Sequence, residues 1–284
     1  MNLNKTGLVL EGGGLRGVFT SGALHYLMEQ DIYFPYVIGV SMGACNAANY
    51  ISKQLGRNRK VNIDFVNDKR YLNTARGIFK SELFGMNFIF NTIPNQLVPF
   101  DYDTFYNSEQ KNWTVATDCI TGKAVYYENK QVGEDYLHVL QASASLPFIA
   151  KPVHFDGKIL MDGGLSDSIP IKKSIEHGNT KNIVILTRPI GYKKSPSNTY
   201  KLAKLRYRKF KGLQSSLKNR WKNYNESLNI VEQLEKEGKV FVIRPEIDLQ
   251  ISKAERNKEK LFQAYDIGYE TMKKNFEKMI DFLK

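Results

Sequence analysis

The chain has 284 residues, 42% hydrophobic and 25% charged, a composition that excludes a disordered or collagen-like polymer. It has only 2 cysteines, Cys45 and Cys119, without metal-ligand spacing, and no run nears the roughly 18 apolar residues of a membrane span. The formal net charge is +12 and uneven: residues 193–222 hold eleven Lys or Arg and no Asp or Glu.

Residues 7–10 read as a short buried strand. The loop Glu11-Gly12-Gly13-Gly14-Leu15-Arg16-Gly17 follows. A helix over 18–29 comes next, with Val18, Ala23, Leu24, Leu27 and Met28 at the 3.6-residue period. Tyr36-Val37-Ile38 is a second buried strand, running into Gly39-Val40-Ser41-Met42-Gly43 and a helix of small residues over 44–50. Strand, Gly-x-Ser-x-Gly, helix is the form of a nucleophile elbow. Its turn leaves no room for a Cβ two residues before or after the serine. The helix N-terminus behind it favours developing negative charge. The β-α-β unit predicts parallel strands with a right-handed crossover, so both special loops leave carboxyl ends, where open α/β sheets carry their sites.

Residues 57–76 are charged and read as helical or irregular. Residues 79–105 are rich in aromatics and prolines without a clean period, which suits a wall or lid over a site, or a packed excursion closing one edge of the core. Residues 113–117 and 124–127 form a hairpin around Thr121-Gly122, and 135–144 a helix. A second hairpin, 153–161, turns at Asp156-Gly157 and leads into Asp162-Gly163-Gly164. Pro170 opens a helix that ends at His177-Gly178, and 182–187 is another buried strand. One helical stripe is predicted over 200–234, then a strand over 240–243. Ser252-x-x-Glu255 has the form of a capping box opening a C-terminal helix or helix pair. No repeat, linker or boundary interrupts the chain.

A serine hydroxyl needs a base and donors for the oxyanion it creates. Residues 12–17 offer the donors. The same string fits G-x-G-x-x-G, but the second strand ends in Gly39-Val40-Ser41 where a nucleotide site wants an acid for the ribose. Arg16 holds the loop or meets a substrate phosphate. For the base, His25 and His138 lie in predicted helices, His154 in a hairpin strand and His177 at a helix end. Two readings stay open. Ser41, Asp162 and His177 follow the chain order of an α/β-hydrolase triad. Alternatively Asp162, in a dry place after a strand and before two glycines, is itself the base, with a raised pKa.

Taken together, Glu11-Gly12-Gly13-Gly14-Leu15-Arg16-Gly17, Gly39-Val40-Ser41-Met42-Gly43, and Asp162-Gly163-Gly164 with Pro170 downstream resemble the bacterial patatin-like phospholipases. Ala142-Ser143-Ala144-Ser145-Leu146-Pro147 is similar to the segment which that family carries before its Asp-Gly-Gly/Ala. Glu11 stands where many members have Asp. The resemblance implies a three-layer α/β/α fold with a mainly parallel central sheet, the elbow after the second strand and a helical C-terminal part. It implies one domain over 1–284, with the motifs in a core of 6–189 and residues 190–284 packed on it. It also implies Ser41 as nucleophile, Asp162 as proton acceptor, and an oxyanion hole around Gly12, Gly13, Gly14, Arg16 and Gly17. Gly39 and Gly43 then shape the elbow, and Gly163 and Gly164 the base loop, with no metal and no cofactor. The implied reaction is cleavage of carboxylic esters of lipids, phospholipids among them, through an acyl-enzyme. The other reading on this fold is a catalytically lapsed lipid-binding or regulatory protein.

Segment 193–222 interleaves cations with Tyr, Leu, Phe and Trp at helical spacing. It suits docking on an anionic membrane, nucleic-acid contact, or a solvated basic face on a packed helix; no nucleic-acid partner is expected. Met1–Thr6 is polar and shows no signal peptide, so the expected location is cytoplasmic, at most peripheral to the inner face of the membrane.

Overall fold

The computed structural model describes residues 3–284; the first two residues of the polar opening that bears on a leader lie outside it. Eight strands form one sheet. β1 (Thr6–Leu10) is central, with every residue buried. It pairs in parallel with β2 (Tyr36–Val40) on one side and β7 (Lys181–Ile185) on the other. β8 (Val240–Ile243) joins β7 and β3 (Lys111–Asp118) joins β2, both in parallel. Strands covered on both faces need no polar alternation, which is why Leu8-Val9-Leu10 and Ile183-Val184-Ile185 are unbroken apolar runs.

Successive side chains of β1 serve different layers. Leu8 and Leu10 pack with Phe19 and Leu24 of α1 (Val18–Glu29), Ala47 of α2 (Met42–Ile51) and Met272 of the C-terminal helix. Val9 packs on the other face with Ile38, Val184, Tyr224 and Leu228. The three-layer α/β/α arrangement expected from the sequence is therefore present, with a mainly parallel sheet and a helical C-terminal part. Among the described residues no helix is long and apolar enough to cross a membrane.

The antiparallel strands β4 (Ala124–Glu128), β5 (Val153–Phe155) and β6 (Lys158–Asp162) decide where the site lies. Residues 113–115 of β3 pair with both β2 and β4, so those two occupy opposite edges. Ala116 and Thr117 pair with both β4 and β6, so β6 shares the edge of β2. β2 runs out at Val40 opposite Val115, and β6, coming the other way, ends at Asp162 opposite Ala116. The two strands meet head to head on adjacent residues of one template strand. Ser41 and Asp162 are brought together by hydrogen-bond register.

Two elements differ from the sequence reading. The stripe over 200–234 is two helices, Thr199–Arg206 and α4, with α3 being Tyr136–Ala144 and α4 Lys211–Lys236. The break is tertiary: the amides of Gly212 and Leu213 donate to the carbonyls of Ile120 and Cys119 in the β3–β4 turn, so α4 starts there. The C-terminal helix α5 (Lys258–Leu283) is capped by Asn257, whose side chain accepts from the Lys260 amide, and Ser252 lies ahead of it. Asparagine is as good a cap as serine and sits one residue before the helix. Phe88–Leu97 is a π-helix containing Pro94. Proline cannot donate and crowds the turn before it, so the wider coil replaces a 3.6-period helix.

Candidate active site

Ser41 occupies the turn after β2 with φ 54 and ψ −124. Such a backbone costs on the order of 1–3 kcal/mol and persists only where the surroundings impose it. Here they do. A Cβ on Gly43 would lie 2.7 Å from the carbonyl oxygens of Leu10 and Glu11, and one on Gly39 2.7 Å from the Ala44 backbone. The two elbow glycines therefore let β1, the turn and α2 come into backbone contact.

The Ser41 hydroxyl donates to Asp162 Oδ2 at 2.8 Å, and Oδ1 accepts the Gly164 amide at 2.7 Å. Both residues are buried. Burial pushes the Asp162 pKa above the usual carboxylate range, against Arg220, the Ser41 hydroxyl, the Gly164 amide and Lys253, which favour the anion. Gly163 packs against the Val115 carbonyl and so fits the base loop onto β3.

The segment 142–147 braces both partners. Ser143 Oγ accepts the Ser41 amide at 2.8 Å and donates to the Val115 carbonyl at 2.6 Å. The Ser145 carbonyl accepts the Asp162 amide at 2.9 Å. Sequence reading singled out this segment but gave Ser143 no role; two serines a residue apart, closing a helix ahead of the Asp-Gly-Gly, are the signal that was there.

In the glycine loop, Gly12 donates to the Ser168 carbonyl and Leu15 to that of Lys253, both at 3.3 Å. The amides of Gly13 and Gly14, and of Met42 at the start of α2, have no acceptor among the described residues. Gly17 is placed differently: its carbonyl accepts the Asn46 side chain at 2.8 Å and braces α2. Glu11 anchors the loop, its carboxylate accepting the Thr187 amide and hydroxyl and, at 2.9 Å, the Tyr224 hydroxyl from α4. That anchor was not read from the sequence. Arg16 is 7% exposed, and its Nε has no partner among the described residues.

No imidazole reaches the serine, which corrects the triad reading. His177 Nδ1 shares a 2.9 Å hydrogen bond with the hydroxyl of Tyr36, the first residue of β2 and thus the end opposite Ser41. Its ring lies 4.4 Å from that of Trp113. His25 pairs with Glu29 and His138 with Asp135, and His154 is exposed on β5.

Ser41 stands at the edge of an apolar cavity that opens to solvent. Its walls include Met42, Phe84, Ile89, Phe90, Ile93 and Leu146. The aromatic excursion over 79–105 therefore forms a wall of this cavity.

The chain is 30% identical over 189 residues to the Escherichia coli K12 protein YjjU, covering 64% of this chain and 52% of that protein. It is 26% identical over 225 residues to the probable lipid hydrolase 463L of Invertebrate iridescent virus 6, covering 70% and 75%. The chain spans about half the length of the first of these relatives. VipD from Legionella pneumophila has a similar fold, at a TM-score of 0.54, 13% identity, and coverage of 96% of this chain and 67% of that one. A family model described as a domain of unknown function (DUF6363) matches residues 210–284. A family model described as patatin-like phospholipase matches residues 8–174, the span in which this chain has its elbow, glycine loop and Asp-Gly-Gly turn, and the chain belongs to the patatin-like phospholipase family.

Proposed function

We propose that the protein is a serine acyl hydrolase that cleaves carboxylic esters of lipids through a Ser41–Asp162 dyad. The observation that carries this reading is the 2.8 Å hydrogen bond from the Ser41 hydroxyl to a buried carboxylate, at the edge of an apolar cavity. The acyl chain lies in that cavity and the ester carbonyl at Ser41. The hydroxyl attacks the carbonyl carbon as Asp162 Oδ2 takes its proton. The tetrahedral oxyanion is held by the free amides of Gly13, Gly14 and Met42. The leaving alcohol departs with the proton from Asp162. Water then gives a proton to Asp162 as its oxygen adds to the acyl carbon, the Ser41 Oγ–carbon bond breaks as Asp162 returns that proton to Oγ, and the fatty acid leaves. The family, and the lipid hydrolase name of the viral relative, support the substrate class.

The protein works at a lipid surface in this reading. Ile78, Phe79, Leu202 and Leu205 are all exposed. The chain just after each of the helices that carry them touches the segment holding the cavity residues Leu146 and Ile149: the Leu83 amide donates to the Ile149 carbonyl, and the Tyr207 hydroxyl accepts the Phe148 amide. Lys201, Lys204, Arg206, Arg208 and Lys209 surround Leu202 and Leu205 in sequence and suit an anionic membrane.

The test is covalent labelling by a fluorophosphonate probe together with turnover of a lipid-ester panel. Labelling is expected in the wild type and absent in Ser41→Ala. Turnover is expected to fall by several orders of magnitude in Ser41→Ala and in Asp162→Asn. A wild-type protein that neither labels nor turns over any ester would favour the lapsed, binding-only alternative.

A further inference from the structure

A second, smaller pocket shares Gly14, Ser41, Leu146 and Lys253 with the apolar cavity and leads away from Ser41 along the glycine loop. It is narrow, with room for about one water between its walls and an open mouth. Four cations line it: Arg16, Lys194, Arg220 and Lys253. They come from four separated parts of the chain, and two of them, Arg220 and Lys253, lie in the C-terminal region of unknown function.

None of the four forms a salt bridge among the described residues. Arg220 spends its Nε on the Gly164 carbonyl at 2.7 Å, and its terminal nitrogens have no acceptor there. The Lys194 ammonium lies 4.2 Å from the centre of the Tyr224 ring. The carboxylates nearby, Glu11 and Asp162, hydrogen-bond neutral donors, Thr187 and Tyr224 for the one and Ser41 and Gly164 for the other. Arg16 is the decisive member: nine-tenths buried, facing the pocket, with Nε unpartnered. Four cations stand against two carboxylates here, so Glu11 and Asp162 offset only part of the gathered charge, and an anionic ligand would offset the rest. A planar guanidinium beside ammonium groups is the donor set that suits phosphate.

We propose that Arg16, Lys194, Arg220 and Lys253 form an anion subsite for the phosphate of the lipid whose acyl ester lies at Ser41, and that it takes a phosphomonoester head in preference to a choline-type head. This rests on the lipid-ester reading above. The preference follows from charge. A phosphomonoester carries about −1.5 to −2 at neutral pH. The only carboxylate among the lining residues is Asp162, already bonded, so nothing there receives a quaternary ammonium. The protonation of the empty site agrees. Burial, then Arg220, push the Lys194 pKa down to about 7, with Lys253 and Arg16 adding to it and Glu11 opposing. Although Lys253 as a residue is exposed, the protein around its ammonium and Arg220 push its pKa down to about 8. A bound dianion favours the charged form of both, most of all Lys194, which is about half protonated at pH 7.

Calorimetric titration of the Ser41→Ala protein with glycerol 3-phosphate at pH 7 tests the subsite without turnover. Saturable binding is expected, weakened tenfold or more by adding Lys194→Gln and Lys253→Gln. Lys253→Gln alone, at an exposed residue, serves if the triple variant does not fold. In parallel, wild-type protein is assayed on lysophosphatidate and lysophosphatidylcholine of one acyl length in neutral-detergent micelles. The kcat/KM ratio is expected to favour the phosphomonoester by tenfold or more and to shrink toward 1 in the lysine variants. No saturable binding, or binding indifferent to the lysines, overturns the subsite. Lysine-sensitive binding without a lipid preference keeps the anion site and moves its ligand to a free phosphomonoester. Absence of any ester turnover alongside lysine-sensitive binding sinks the hydrolase reading alone.

Discussion

At the scale of single residues, the serine and the aspartate are held in costly states by different means. Ser41 carries backbone strain, and a side chain of any kind at φ 54 shares it. Ser41→Gly and Ser41→Ala are both expected to be inactive. Both leave Asp162 without its hydroxyl donor, but only glycine relieves the strain, at a smaller cost in unfolded-state entropy. Ser41→Gly should therefore be more stable than Ser41→Ala by about 1 kcal/mol in denaturant unfolding; equal stabilities would mean the turn is not strained. Asp162 carries a desolvation cost. Its pKa is raised by burial, so the carboxylate needed as base is lost as pH falls through a value above the usual range of about 4. Arg220 is the largest influence pulling that pKa back down. Removing it in Arg220→Gln should move the acid limb of kcat/KM on a neutral ester to higher pH, and Arg220→Lys should restore part of the shift. A limb that stays put while the overall rate falls would reduce Arg220 to a brace for Gly164.

At the scale of elements, what was legible and what was not divide along a physical line. Strands β1 and β2 and helix α1 were legible because their apolar patterns depend on local period and on burial from both sides. The elbow was legible because Gly39 and Gly43 answer a steric demand that lies within a few residues. The end of the Thr199–Arg206 helix was not legible, since the apolar stripe runs through it. Its cause is the β3–β4 turn, some 90 residues away in sequence, whose carbonyls start α4. The Glu11–Tyr224 bond and the convergence of Lys194, Arg220 and Lys253 are invisible for the same reason. The basic segment in turn proves to have two faces. Leu213, Leu217, Tyr224 and Leu228 pack inward and Arg220 reaches the pocket, while Leu202 and Leu205 remain exposed. Replacing Leu202, Leu205 and Phe79 by serine should cut co-sedimentation with phosphatidylglycerol-rich vesicles several-fold, because apolar insertion supplies much of the binding. Raising salt should weaken wild-type binding through the screened lysines. Binding unchanged in the triple variant would move the docking surface elsewhere.

At the scale of the whole molecule, the question is whether residues 190–284 are an appendage or part of the fold. Two family models divide the chain, at 8–174 and 210–284, and read alone they suggest two modules. The packing argues for one, and we propose a single unit over 1–284. β8 extends the same sheet beyond β7. Tyr224 of α4 closes on Glu11 beneath the glycine loop. α5 lies on α1 at backbone distance: a Cβ on Gly268 would sit 2.0 Å from the Phe19 carbonyl oxygen, and one on Gly22 1.9 Å from that of Tyr265. Two helices this close cannot separate by a methyl group without losing the contacts of Leu261, Ala264 and Met272 around them. Gly268→Ala should thus destabilise the entire protein by about 1–3 kcal/mol or more, the range for overpacking. If the chain is one unit, far-ultraviolet circular dichroism and tryptophan fluorescence should report coincident unfolding curves in the wild type, shifted together in the variant. Trp113 lies on β3 and Trp221 on α4, so fluorescence samples both regions. Two separated transitions, with Gly268→Ala moving only one, would show that the C-terminal part folds by itself and merely leans on the core. In that case the subsite cations it contributes would be placed by docking, and phosphate binding would be lost at the earlier transition.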